Sequence, residues 1–382
     1  MTISVASSDS SEGSASVGSL VFTSANWNTP QIVTVTGVND SVDDSNIAYA
    51  LVLGTAVSAD ASYSGLDATD VGLVNTDDDL YSTVTVDTNS DVLDGDTLTI
   101  ETLLANKGAD GKISLREAIL AANNSENSAG GVDRIHFNIS GAGTHTIHLS
   151  SALPTITDPV VIDGYTQPGA SANTLAMGTD AVLRIVLDGI NAGESTPGLA
   201  ITAGGTTVRG LVINNFTWAG VHLDGGDGNT IAGNYIGTDA SGTIATPNGR
   251  GTGYDGILIG YTAASSNNTI GGSTPGDRNV ISGNSGGGIW MASSNGGNLI
   301  RGNYIGVDAT GNTGMGNGQH GIILSGAANS VINNVISGNG QSNYYGLYLP
   351  SGADATSVQG NLFVGGADGT TAIPNSQHNV YI

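Results

Sequence analysis

The sequence lacks cysteine altogether and has few basic side chains, and each shortage excludes a class of function. Without cysteine the chain has no disulfides, no thiolate nucleophile and no cysteine-ligated zinc. Nine Lys and Arg stand against 33 Asp and Glu, which gives a formal net charge of −24. Because nucleic acids are bound through clustered Lys and Arg, this balance argues against a nucleic-acid partner. No apolar run approaches the roughly 18 residues of a spanning helix, so no membrane span is expected.

Glycine, in contrast, is abundant, with 59 of the 382 residues, while charged residues make up only 11%. So much glycine with so little charge indicates many tight turns, and therefore a repeated structure. The residues after Met1 contain neither the basic nor the apolar segment of a secretory signal. An acidic composition rich in Thr, Ser, Asn and Gly is nevertheless typical of secreted or cell-surface proteins. We expect the chain to be a fragment of such a protein.

Residues 1–85 are predicted to form a small antiparallel β module, because residues 31–38 and 48–53 alternate between apolar and polar side chains. Residues 21–31, with Asn39-Asp40 and residues 75–79, resemble the C-terminal part of bacterial Calx-beta-like repeats whose first strands are missing. The resemblance implies that acidic loops bind Ca²⁺, a cation that prefers oxygen ligands. No cofactor is required, and the candidate calcium ligands are Asp40, Asp43, Asp44, Asp77, Asp78 and Asp79. The alternative is a solvated acidic linker.

Residues 86–180 are predicted to hold a capping helix and the entry to the repeats. Ser114 and Glu117 have the spacing of a capping box, and an apolar face recurs at helical intervals over 115–122. Residues 106–117 echo a calcium-binding loop, but Gly108 offers no side-chain ligand at its third position, which favours a simple turn. Residues 112–119 and 162–169 resemble the CSLREA-type segment of bacterial right-handed parallel β-helix proteins, with Ile113 where that family usually has cysteine. The resemblance implies that fold.

Residues 181–382 contain two recurring phrases. Gly-Asn-Tyr-Ile-Gly-x-Asp-Ala-x-Gly occurs at 233–242 and 302–311, where we expect its aspartates to form turns. Glycine followed by apolar-x-apolar begins at Gly198, Gly220, Gly256, Gly288, Gly321 and Gly346. Such repeats predict short parallel strands stacked about 4.8 Å apart, with asparagine ladders at the corners. The predicted fold is therefore all-β: a right-handed parallel β-helix with an N-terminal capping α-helix, preceded by the antiparallel module.

Alignment of the six repeated strands predicts an aromatic outward face. The middle position reads Ala200, His222, Leu258, Trp290, Ile323 and Tyr348, followed by Tyr381 if residues 379–382 form a seventh strand. Aromatic rings beside carboxylates suit sugars, whose C–H faces stack while their hydroxyls form hydrogen bonds. The predicted substrate-binding residues are Trp218, Tyr254, Trp290, Tyr344, Tyr345, Tyr348 and Arg250.

Asp224 and Asp255 fall on adjacent repeats of this face, and His222 and His320 lie near them, so these four are the candidate catalytic residues. Two carboxylates could act as acid and as base or nucleophile in glycoside hydrolysis. Alternatively, Asp-bound Ca²⁺ could hold a uronate while Arg250 or His320 abstracts a proton in β-elimination. The sequence contains neither the paired aspartates nor the Arg-Lys pattern of β-helix pectinases. Ordinary outward residues on a flat face are the third interpretation.

These observations support two hypotheses of different class, both involving a polysaccharide partner outside the cell. One is a polysaccharide-cleaving glycoside hydrolase or lyase, and the other is a non-catalytic adhesin or matrix-binding module. Ice binding is disfavoured, because regular Thr-x-Thr columns are absent. Residues 379–382 repeat the strand phrase without a capping element after it, which predicts a truncated chain or end-to-end self-association through an open strand edge.

Overall fold

The structure is a computed structural model that describes residues 1–39, 46–77, 82–127, 131–251, 253–292, 295–341 and 343–382. The chain divides into two compact units. The first is built mainly from Met1–Ser82, and the second from Thr83–Asn127 with Val132–Ile382. Most regular structure in both units is β-strand, as the composition and the repeats predict.

The first unit is antiparallel. Its strands are β1 (Thr2–Ser7), β2 (Gly13–Ala15), β3 (Ser19–Val21), β4 (Val35–Gly37), β5 (Ile47–Leu53) and β6 (Val71–Asn75). One sheet has the order β3-β1-β5-β6, and β2 pairs with β4. The alternating segment 48–53 lies in β5, whereas only residues 35–37 of the segment 31–38 are paired as a strand. Few apolar side chains are buried here, among them Val5, Leu51 and Ala56.

The second unit opens with β7 (Thr83–Val86), α1 (Ile100–Ala105) and α2 (Leu115–Asn124). Ser114 caps α2 as predicted: its amide donates to the Glu117 carboxylate at 2.8 Å, and the Glu117 amide donates back to the Ser114 hydroxyl at 3.3 Å. Glu117 also accepts the amides of Asp94 and Gly95, so this carboxylate organises the preceding turn. The helix packs on the strands at one end of the first parallel sheet.

Three parallel sheets make up the rest of this unit. Besides β7, the first sheet contains β8 (Asp133–Phe137), β10 (Val160–Asp163), β13 (Thr207–Arg209), β16 (Thr230–Ala232), β19 (Thr269–Gly271), β22 (Leu299–Arg301), β25 (Ser330–Ile332) and β28 (Ser357–Gln359). The second contains β9 (His145–His148), β11 (Ile185–Asp188), β14 (Leu211–Asn214), β17 (Tyr235–Ile236), β20 (Val280–Ile281), β23 (Tyr304–Ile305) and β26 (Val335–Ile336). The third contains β12 (Leu199–Ile201), β15 (Val221–Leu223), β18 (Ile257–Ile259), β21 (Ile289–Met291), β24 (Ile322–Leu324), β27 (Leu347–Tyr348) and β29 (Val380–Tyr381).

From β10 to β28 the chain visits the three sheets in turn, and we call one such circuit a coil. Each strand pairs in parallel with its counterpart in the next coil, as β15 does with β18. All six glycine-apolar-x-apolar segments are strands of the third sheet, which confirms the prediction of stacked parallel strands. Inward aliphatic side chains from all three sheets form one continuous buried cluster that also includes the apolar face of α2. Burial of this cluster is the main stabilising contribution of the unit.

Asparagine ladders line the three corners between the sheets, as predicted. Between the first and second sheets the rungs are Asn234, Asn279, Asn303, Asn334 and Asn361. Between the second and third they are Asn248, Asn284, Asn317, Asn339 and Asn375. Between the third and first they are Asn229, Asn268, Asn298 and Asn329. In most rungs, one amide oxygen accepts both the backbone and the side-chain N–H of the asparagine before it, so buried corner groups are satisfied.

The outer face of the second sheet is covered. Its outward column of valines and tyrosines is buried with apolar side chains from loops at 181–183, 307–309 and 373. The repeated phrases end in hairpins that stack on one another, since the Ala309 amide donates to the Gly242 carbonyl at 2.9 Å. Asp308 accepts the Thr310 hydroxyl and the Thr313 amide, which is the turn-forming role expected of it. The second sheet therefore has no open face for a polymer.

Candidate functional site

The third sheet carries the predicted aromatic column in the predicted register. Strand pairing aligns Ala200, His222, Leu258, Trp290, Ile323, Tyr348 and Tyr381. The seventh strand, β29, is present. Exposure varies along the column: Leu258 is fully buried, Trp290 and Tyr348 are half-buried, and Tyr381 is 45% exposed.

A first aromatic cluster surrounds Leu258. It consists of Trp218, His222, Tyr254, Tyr261 and Trp290. The Trp218 ring lies 4.6 Å from the His222 ring, and Tyr261 makes edge contacts with Trp218 and Trp290 at 6.1 and 5.9 Å. Sequence reasoning missed Tyr261, although an aromatic residue directly after the Gly260 that ends a repeated strand was the available signal. Tyr261 contacts both Trp218 and Trp290, which belong to coils two apart.

A second aromatic cluster occupies the last coils. It consists of His320, Tyr344, Tyr345, Tyr348, His378 and Tyr381. Tyr345 and Tyr381 are stacked, with centroids 4.7 Å apart and planes at 8°. The Tyr345 amide donates to His320 Nδ1 at 3.0 Å, and burial lowers the pKa of His320 to about 4. His320 is therefore a neutral imidazole near pH 7, with its proton on Nε2.

A cavity of about 310 Å³ lies at the start of the face. Its walls include Trp218, His222 and Asp224, with Pro197 and Ala200 nearby. Trp218 Nε1 and His222 Nε2 are buried and have no hydrogen-bond partner among the described residues, and His222 Nε2 lies 3.9 Å from Asp224 Oδ2. Burial lowers the pKa of His222 despite the opposing attraction of Asp224, so this imidazole is also neutral near pH 7. The cavity wall is thus partly aromatic and apolar, with the Asp224 carboxylate as its charged group.

Asp224 holds a turn as well as lining the cavity. Its carboxylate accepts the amides of Thr262 and Ala263, both at 2.8 Å, and the Thr262 hydroxyl. Burial acts to raise the pKa of Asp224, but the hydrogen bonds from Ala263 and Thr262 outweigh it and lower the pKa. Asp224 is therefore an ionised group on this face.

Asp255 is buried, at 4% exposure, and accepts the Gly287 amide at 2.7 Å. Burial raises its pKa to about 7. In the register of β15 and β18 it is level with Ala219, five residues before Asp224. Five extended residues span about 16 Å, whereas the two carboxyl groups of glycosidases lie roughly 5–9.5 Å apart. The structure therefore places the predicted pair at opposite ends of the strands and does not bring Asp224 and Asp255 together.

Arg250 lies at the edge of the first aromatic cluster, on the segment that leads from the second to the third sheet. Its amide donates to the Phe216 carbonyl at 3.2 Å, and the neighbouring Gly249 amide donates to the Trp218 carbonyl at 2.8 Å. Its half-buried side chain makes no hydrogen bond or ion pair with the residues that the structure describes.

The calcium prediction falls largely outside the described residues, which exclude Asp40, Asp43, Asp44, Asp78 and Asp79. Asp77 is described, and its amide donates to Asn46 Oδ1 at 3.0 Å. Within the described ranges, no three His, Asp or Glu side chains are grouped so that they could hold a metal ion. No helix in those ranges is long and apolar enough to span a membrane.

Comparisons of the chain with protein-family models, with curated proteins and with solved structures give no match.

Proposed function

We propose that the second unit is a right-handed parallel β-helix of the CSLREA type that binds a polysaccharide along the outer face of its third sheet. The circuit through three parallel sheets, the asparagine ladders and the capped helix α2 support the fold. The first unit is then a partial Calx-beta-like module whose acidic loops are candidate calcium ligands. The proposal includes a secreted or cell-surface location, which the acidic composition rich in Thr, Ser, Asn and Gly supports.

The observation that carries the binding proposal is the pair of aromatic clusters on one open face. They lie on seven stacked strands, whose six intervals of about 4.8 Å make the face about 29 Å long. A linear sugar chain running along the stack would contact both clusters in succession. The second sheet has no comparable open surface, since loops cover its outward column.

The clusters offer the contacts that sugars use. Tyr261 and Tyr381 are 46% and 45% exposed, and Trp290 is half-buried between strands. Such rings stack on C–H faces, while tyrosine hydroxyls donate to and accept from sugar hydroxyls. Because neighbouring rings already hold each other in place, little side-chain freedom is lost when a ligand binds.

Binding is tested by titrating soluble polysaccharides into the protein in affinity electrophoresis and calorimetry. We expect Trp290→Ala to weaken binding by about two- to twelvefold, since an aromatic contact contributes roughly 0.5–1.5 kcal/mol. Trp27→Ala is the matched control, because Trp27 is 70% exposed but lies in the first unit. Failure of the wild-type protein to bind any polymer contradicts the function. Equal losses in the two variants contradict the location of the site.

Cleavage is the second candidate function, and the pKa of Asp255 favours it. Burial raises the pKa of Asp255 to about 7, so a substantial fraction stays protonated near pH 7, which is the property required of a general acid in glycoside hydrolysis. Its separation from Asp224 argues against the paired mechanism and favours a non-catalytic adhesin or matrix-binding module. The assays are new reducing ends and the absorbance of unsaturated uronates. Asp255→Asn should abolish any cleavage, whereas Asp368→Asn, at an exposed turn, should not.

A further inference from the structure

We infer that the polysaccharide bound by the third sheet is uncharged, and that the face discriminates against uronate polymers. This inference rests on the proposed function and specifies its ligand. Two observations support it: the positions of the basic side chains in the molecule, and the types of side chain that make up the two aromatic clusters.

The nine basic side chains lie almost entirely away from the third sheet. None occurs in residues 1–82. Three lie between β7 and β8, one of them on α2, and three of the remaining six belong to strands of the first sheet. Salt bridges occupy several of them: Lys112 with Asp87, Arg116 with Asp91, and Arg209 with Asp163. Arg278 donates to loop carbonyls beside the covered second sheet. Arg184 donates to the Gly169 carbonyl just before β11 of the second sheet. Among the residues that the structure describes, this leaves Arg250 as the basic side chain near the third sheet.

Neither aromatic cluster contains a lysine or an arginine side chain. His222 and His320 are neutral because burial lowers the pKa of both imidazoles. Beside the first cluster lies the ionised carboxylate of Asp224, whose hydrogen bonds lower its pKa. A uronate would lose hydration on this face without gaining a counter-charge. It would also approach a chain of net charge −24, which disfavours association with an anionic polymer.

A divalent cation could bridge a uronate to a carboxylate, but such a bridge requires a ligand set. In the part of the chain that the structure describes, no three acidic or histidine side chains are grouped in that way. A neutral sugar needs no bridge. Its hydroxyls can pair with tyrosine hydroxyls of the clusters, and with the Thr155 and Thr202 groups that line the cavity.

The test compares polygalacturonate with the same polymer after chemical reduction of its carboxyl groups, so that the backbone is shared and only the charge differs. A neutral glucan, a mannan and a xylan complete the series. The full chain is titrated with each polymer at low salt, with EDTA and again with Ca²⁺. We expect the best neutral polymer to bind at least about tenfold more tightly than any uronate polymer. We expect carboxyl reduction to increase the affinity for the galacturonate backbone.

A charge-insertion variant provides the second arm. Ile323 lies half-buried in the column between Trp290 and Tyr348, so Ile323→Lys places a cation between the two clusters. We expect it to increase uronate affinity about tenfold at low salt, with the gain lost at high salt. Gln359→Lys, on the exposed end of the first sheet, adds the same charge elsewhere and should not do so. Ala200→Lys serves in place of Ile323→Lys if the latter unfolds.

The outcomes separate the inference from the function on which it rests. If the protein in EDTA binds a uronate polymer as tightly as the best neutral polymer, the inference is wrong but the proposal of polysaccharide binding still holds. Uronate binding that requires Ca²⁺ also overturns it, in favour of a bridged site. If no polymer of the series binds, the proposed function itself fails.

Discussion

Replacing Asn303 with alanine tests whether the asparagine ladders hold the coils together. The side chain is fully buried at the corner between the first and second sheets. Its oxygen accepts the Asn279 side-chain amide at 2.8 Å. Its nitrogen donates to the Ile270 carbonyl at 2.8 Å and to Asn334 Oδ1 at 3.0 Å. Alanine removes these three hydrogen bonds, together with two longer ones, from the Asn279 backbone amide at 3.4 Å and to the Arg301 carbonyl at 3.1 Å.

The magnitude follows from these contacts. A net contribution of about 1 kcal/mol for each hydrogen bond gives about 3 kcal/mol for the three. The Asn279 side-chain nitrogen keeps its hydrogen bond to the Ile231 carbonyl at 2.7 Å, but its other buried N–H loses its acceptor, and an orphaned buried group costs roughly 1–3 kcal/mol. We therefore expect Asn303→Ala to lower the free energy of unfolding by about 3–5 kcal/mol, a large part of the roughly 5–15 kcal/mol of an ordinary domain.

The assay is urea unfolding followed by circular dichroism, with the slope of the transition compared between variants, because repeat arrays can unfold in parts. Asn361→Ala is the matched control. Asn361 is the half-buried last rung of the same ladder, and its nitrogen donates to the Val331 carbonyl at 2.8 Å. Water can replace its partners, so we expect a loss of about 1 kcal/mol. Equal losses at Asn303 and Asn361, or a loss below about 1 kcal/mol at Asn303, would refute the reasoning.

Further predictions concern buried ionisable groups and glycine. Burial raises the pKa of Asp255 from 3.8 to about 7, so its contribution to stability is present below pH 4 and is lost as the pH rises to 7, by up to about 4 kcal/mol. Unfolding titrations from pH 4 to 7 should show that Asp255→Asn lacks this decline; an unchanged pH profile would count against a buried, protonated carboxyl group. His320, whose pKa burial lowers from 6.5 to about 4, has the opposite dependence, because its contribution is lost as the pH falls from 6.5 to 4. His320→Gln should therefore make the decline due to Asp255 steeper in the same titrations. A methyl group on Gly326 would overlap the Asn295 carbonyl oxygen, whereas one on Gly276 would come no closer than 3.4 Å to another atom. Gly326→Ala should lower the Tm and Gly276→Ala should leave it nearly unchanged; similar Tm values for both would contradict the packing.

Strands of the third sheet could be predicted because each begins with the same glycine and alternates over three residues. Those of the second sheet are harder to recognise, since strands such as Tyr235–Ile236 contain only two residues and their outward side chains are apolar. Helix α1 has six residues, too few for a helical period, and its capping residue Thr99 was not recognised. Short elements are thus determined by their neighbours more than by their own sequence.

The sequence predicted which residues of the candidate site share the outward column of the third sheet, but it did not predict which side chains contact one another. The column depends on register, which the repeat determines. The position of Tyr261 over the first aromatic cluster depends on the path of the loop after β18. The separation of Asp224 from Asp255 depends on which end of a strand each one flanks. Neither is visible in a window of local sequence.

The sequence by itself determined the stacked parallel strands, the register of the aromatic column and the asparagine ladders. Identical side chains at equivalent positions of successive coils must lie above one another, so a repeat in sequence becomes a column in space. Only the tertiary structure decided which sheet faces are open to solvent, which aromatic rings are in contact and which carboxyl groups are buried. Loops from different coils cover the second sheet and leave the third accessible. Asp255, just before β18, is buried. Burial and exposure are properties of those long-range contacts, and they set the pKa values and the surface that a ligand meets.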